Sequence, residues 1–67
     1  MPASATPFDL VAQAQAVARR AGLHIRDSVA AGGRLFSVYR ITEGRAVYLG
    51  QRRSARGLVP FVQRLAR

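Results

Sequence analysis

Apolar positions recur along this chain first at helical spacing, then alternately, then at helical spacing again. Leu10, Ala14, Val17 and Ala21 form a stripe of the first kind, which predicts a helix over roughly residues 7–21. The chemistry of its ends agrees. Thr6 is placed to cap it, Pro7 falls at the first helical position, and Asp9 sits near the positive end of the helix dipole. Arg19 and Arg20 occupy the last turn, where cations suit the dipole, and Gly22 supplies a stop. Residues 1–6 are small and polar and read as a disordered tail.

From Leu23 the period changes to two. Leu23, Ile25 and Val29 share one face, with His24, Arg26 and Ser28 on the other, a half-buried strand that Asp27 interrupts on its apolar side. Ala30-Ala31-Gly32-Gly33 breaks it. Arg34 to Thr42 and Arg45 to Gln51 are then rich in β-branched and aromatic residues, and Glu43-Gly44 between them predicts a hairpin with a two-residue turn. That turn pairs Thr42 with Arg45, Tyr39 with Tyr48, and Val38 with Leu49. One hairpin face carries Phe36, Val38, Val47 and Leu49, with Arg40 and Arg45 near the turn. The other carries Leu35, Ser37, Tyr39, Ile41, Ala46, Tyr48 and Gly50. Both faces are partly apolar, so one is expected to pack on the helices and leave the other for a partner.

In the last segment Leu58, Phe61, Val62 and Leu65 fall on one side of a helix, with Arg56, Gln63, Arg64 and Arg67 opposite and Ser54 as the cap. Pro60 has no N–H to give to a helix interior, so the reading is a loose turn at 54–58 and regular helix from 59 or 60. The order α-β-β-β-α defines one small α+β domain over residues 7–67, with a three-stranded antiparallel sheet packed against the helices.

Composition narrows the chemistry. The 67 residues leave room for one domain, and with no cysteine neither a disulfide nor a Cys/His metal site is available. Stability must come from the apolar core, for which 49% hydrophobic residues suffice, extended by any self-association into a homodimer. No stretch has the apolar length of a transmembrane helix, and the N-terminus lacks the early positive charge of a secretory signal. The expectation is a soluble cytoplasmic protein with no membrane partner. Its charge stands out more: 11 basic residues against 3 acidic, net +8, every basic one an arginine. A GC-rich genome explains arginine in place of lysine but not the shortage of Asp and Glu. That imbalance points to an acidic partner, either nucleic acid or an acidic protein face.

Catalysis finds little support. Acid/base work needs two titratable groups held together, yet Asp9, His24, Asp27 and Glu43 are scattered, and His24 and Asp27 fall on opposite faces of their strand. Ala31-Gly32-Gly33-Arg34 joins two strands and matches neither dinucleotide nor P-loop spacing, so no cofactor is expected. The reading is a binding protein, not an enzyme.

Arg52-Arg53-Ser54-Ala55-Arg56 is the leading binding candidate, since it opens the last helix, where free backbone N–H groups and the dipole add to the arginine charge. Arg64 and Arg67 on the outward side of that helix extend it, and Arg40 with Arg45 near the hairpin tip makes a second basic point. Tyr39 and Tyr48 could stack on bases if their face is open; the commoner role for such a pair is core or dimer packing. The element order, Phe36-Ser37-Val38, the Gly44 turn and the basic opening of the last helix resemble the double-stranded-RNA-binding domain. The chain departs from that family in having Ala30-Ala31-Gly32-Gly33 where the family has a Gly-Pro-x-His loop, and Pro60 where it has packing alanines. The resemblance is therefore one of topology. Two functions follow: a nucleic-acid-binding accessory protein gripping phosphates with low sequence specificity, or a small inhibitor, of the kind phages and plasmids encode, docking on an acidic protein surface.

Overall fold

The alternating segments pair into one antiparallel sheet, and the two helical stripes pack on a single face of it. A computed structural model describes the backbone of residues 7–67 and side chains from Asp9 onward. The elements are α1 (Pro7–Arg20), β1 (Leu23–Ala30), β2 (Gly33–Thr42), β3 (Arg45–Arg52) and α2 (Ala55–Leu65), with strand order β1-β2-β3. This is the α-β-β-β-α domain that the pattern predicts. The expected tail over 1–6 and the Thr6 cap lie outside the described residues. Among the described residues no helix is long and apolar enough to cross a membrane.

The hairpin forms as predicted at its turn. Thr42 pairs with Arg45 and Tyr39 with Tyr48. Glu43 and Gly44 both take positive φ, 51° and 77°, which matches the twist of the flanking strands. Beyond Tyr39 the pairing departs from the simple register. Val38 pairs with Gly50, not with Leu49, because a β-bulge at Leu49 adds one residue to β3. Gly50 therefore turns to the helix side, where the sequence pattern placed it on the opposite face.

Phe36 and Val38 on β2, Leu23 and Ile25 on β1, Ala14 and Ala18 on α1, and Ala55, Leu58, Val59 and Val62 on α2 make the core. Alanine at 14 and 18 lets α1 approach α2 closely. Phe36, Leu58, Val38 and Val62 are the largest fully buried side chains, each contributing about 1.5–3 kcal/mol by burial. On β1 the cover ends after Ile25: Asp27 is exposed and Val29 is 87% exposed. The carboxylate that broke the apolar pattern thus faces solvent and pairs with Arg34 across the sheet.

The last helix corrects the expectation of a loose turn. It runs continuously from Ala55, capped by Ser54, whose Oγ accepts from the Gly57 N–H at 3.1 Å. Pro60 is tolerated because it lies on the exposed side together with Arg56, whose carbonyl loses its helical donor where water can replace it. The continuous helix also brings Ala55 and Val59 into the buried stripe, whereas Phe61 packs at the core's edge.

At Gly50 an added Cβ would lie 2.8 Å from Cζ of the Phe61 ring, on a backbone with φ of 154°. Gly50→Ala is expected to destabilise the domain by about 1–3 kcal/mol, through overpacking and backbone strain. Denaturant unfolding followed by circular dichroism measures this; an unchanged midpoint would show that the Phe61 ring has room to move.

Candidate functional site

Chain connectivity sorts the arginines into two ends. Residues 21–22 join α1 to β1, whose Leu23 pairs with Arg40, and the Arg40 guanidinium donates to the Leu65 carbonyl at 3.3 Å. Both helices therefore end at the same end of the strands, and α1 packs against α2. Arg40 serves there as a cation at the C-terminus of α2, alongside Arg64 in the last turn. Arg45 follows the hairpin turn on the same sheet face as Arg40, and Arg67 closes the chain.

The opposite end gathers Arg34, Arg52, Arg53 and Arg56 around the β1–β2 turn and the N-terminus of α2. The Arg52 guanidinium lies 3.9 Å from the Phe61 ring centroid and donates to the Gln51 carbonyl at 2.6 Å. Arg53 reaches the β1–β2 turn: a Cβ built at Gly32 would lie 2.7 Å from its Nη1. Arg34 is 4.9 Å from the Phe36 centroid and its Nε donates to Asp27 at 3.3 Å. The hydrogen bond to Asp27 raises the Arg34 pKa further above its ordinary value, so the guanidinium stays charged. Arg52, Arg53 and Arg56 take part in no ion pair among the described residues.

The structure thus places Arg52, Arg53 and Arg56 at the N-terminal end of α2, away from Arg64 in its last turn and Arg67 at the chain end. Arg56 and Arg64 lie eight positions apart on α2, about 12 Å along its axis. Sequence reasoning missed Arg34, which only the β1–β2 hairpin brings to this end. The loop that the resembled family places between its first two strands is here a tight turn, with Ala30 paired to Gly33.

The tyrosines lie on the sheet face away from the helices, not in the core. Tyr39 and Tyr48 pack edge to face with centroids 5.7 Å apart, and His24 stands 6.5 Å from Tyr39 on the other side. His24, Tyr39 and Tyr48 form one row across all three strands; the sequence shows the Tyr39–Tyr48 pair, and His24 joins it only through the pairing of β1 with β2. Tyr48 is 53% exposed and its hydroxyl donates to Gln51 Oε1 at 3.1 Å. No enclosed pocket forms among the described residues, so the candidate sites are surfaces.

No family model matches the chain, and neither a curated protein nor a solved structure matches it.

Ser54 holds the N-terminus of α2 around which the arginines gather. Ser54→Ala is expected to cost about 1 kcal/mol, and Ser54→Asp to retain most of the stability because aspartate caps as well as serine. Thermal unfolding of both variants tests this, and equal losses would mean that the cap contributes nothing specific.

Proposed function

We propose that this domain binds nucleic acid, gripping phosphates through Arg52, Arg53 and Arg56 at the N-terminus of α2 with little sequence specificity. One observation carries the reading: three arginines uncompensated by ion pairs among the described residues lie at one end of a domain in a chain with net charge +8. The nearby carboxylate of Asp27 is already engaged by Arg34. Phosphate suits this arrangement, because a planar guanidinium offers paired N–H donors and the helix dipole adds positive potential. Sequence-independent contacts of this kind release counterions, so affinity falls steeply with salt. Arg40, Arg64 and Arg67 at the far end add to the general positive field. The domain acts in this reading as a binding module, with no catalytic step.

An acidic protein surface is the second reading. Ile41, 50% exposed on the uncovered sheet face, favours it by offering an apolar contact beside the tyrosines.

The test is fluorescence anisotropy with labelled duplex DNA, duplex RNA and single strands at several salt concentrations. Arg53→Glu/Arg56→Glu leaves the Arg52–Phe61 stack intact and is expected to weaken binding at least tenfold. On a duplex it should also flatten the log K against log salt slope by roughly 2, close to one per lost phosphate contact. Absence of binding even at low salt would overturn the reading and favour the protein partner.

A further inference from the structure

We propose that the open sheet face is a stacking platform for the bases of a single-stranded nucleic acid. This inference rests on the nucleic-acid reading and adds a second surface and a strand preference to it.

Both helices cover one face of the sheet, so among the described residues the row His24–Tyr39–Tyr48 on the other has no element packed over it. The rings are held. Tyr39 is half-buried between His24 and Tyr48, and the Tyr48 hydroxyl is tied to Gln51. A ring already fixed in place loses little freedom when a base stacks on it, which favours binding. The next row along the strands is Arg26, Ser37 and Gln51. Its middle member, Ser37, is buried although it belongs to the open face, so larger neighbouring side chains cover it.

Charge selects the occupant. Asp27 lies on the helix side of the sheet, Glu43 in the hairpin turn and Asp9 on α1, so no carboxylate stands on this face. Arg26 projects from it beside the rings. A second copy of the chain would bring another net +8 against the first, whereas a nucleic-acid strand brings negative charge and flat π surfaces. A duplex keeps its bases stacked on one another and offers them no access to the rings, so the platform distinguishes single strands.

The experiment uses the full chain with a 15-nucleotide oligothymidine and a duplex of the same length. The chain has two tyrosines, 39 and 48, and no tryptophan, so ring-proton NMR reports on this surface without overlap from other tyrosines. The oligothymidine is expected to shift the Tyr39 and Tyr48 ring resonances, and the duplex to leave them in place. Tyr48→Ala should weaken single-strand binding at least about fivefold with duplex affinity unchanged, while Tyr48→Phe, which keeps the ring, should bind within about twofold of the parent. Circular dichroism of both variants checks that the fold survives, as expected at a half-exposed position.

Unmoved ring resonances, or equal losses for single strand and duplex in Tyr48→Ala, would overturn the platform. If Arg53→Glu/Arg56→Glu still lost affinity, the phosphate-binding reading would stand without it. If neither oligonucleotide bound, both would fall. Ring shifts that depend on protein concentration alone, with a dimer in sedimentation, would assign the face to a second copy of the chain and overturn the proposal.

Discussion

One extra residue in β3 decides which way the rest of that strand faces. Had Val38 paired with Leu49, Gly50 and Arg52 would face outward and Gln51 would face the helices. The bulge at Leu49 reverses this: Val38 meets Gly50, Ser37 meets Gln51, and Phe36 meets Arg52. Gly50 then lies at the tip of the Phe61 ring, where an added Cβ would be 2.8 Å from Cζ, and Arg52 lies over the face of the same ring. Gln51 comes to the outer face, where it accepts from Tyr48. The docking of α2, the position of the basic cluster and the restraint on the aromatic row all follow from that single insertion.

The sequence carried the parts of this that depend on local chemistry. Period-two and period-3.6 patterns gave every element, the Glu43-Gly44 turn gave the Tyr39–Tyr48 pair, and Ser54 was recognised as a cap. Two features were misread for physical reasons. A glycine inside a strand marks a bulge or a close approach, and Gly50 is both, but an unbroken alternating register hid the signal. Pro60 suggested a broken helix because propensity counts the lost hydrogen bond without asking which side of the helix loses it; here it is the wet side. The aromatic row was legible only as a pair, since His24 joins it through the pairing of β1 with β2, which no local pattern specifies.

Size explains why one sheet face is left bare. Helices of 14 and 11 residues cover one face of a three-stranded sheet, and among the described residues no further element remains for the other. That division makes the inner face a core of aliphatic residues with Phe36 at its centre. The outer face instead keeps aromatic rings with polar edges, which tolerate water on one side and contact on the other. Self-association through this face would bring together two like-charged chains, a cost that a polyanionic ligand converts into attraction.

The 11 arginines are not equivalent once folded. Arg34 is paired with Asp27, and Arg40 donates to the Leu65 carbonyl at the end of α2, so both are engaged by the fold itself. Arg52 is also held, but by neutral partners, an aromatic ring and a backbone carbonyl, and Arg53 lies against Gly32. Neutral partners restrict a guanidinium without cancelling its charge, which lowers the ordering cost of an ion contact and leaves its electrostatic value intact. In the proposed function, cations restrained in this way beside a helix N-terminus suit the contacts that a phosphate chain offers. Arg52 ends β3 four residues from Tyr48, about 10–13 Å along the strand, a span that one extended nucleic-acid strand bridges in the proposed reading.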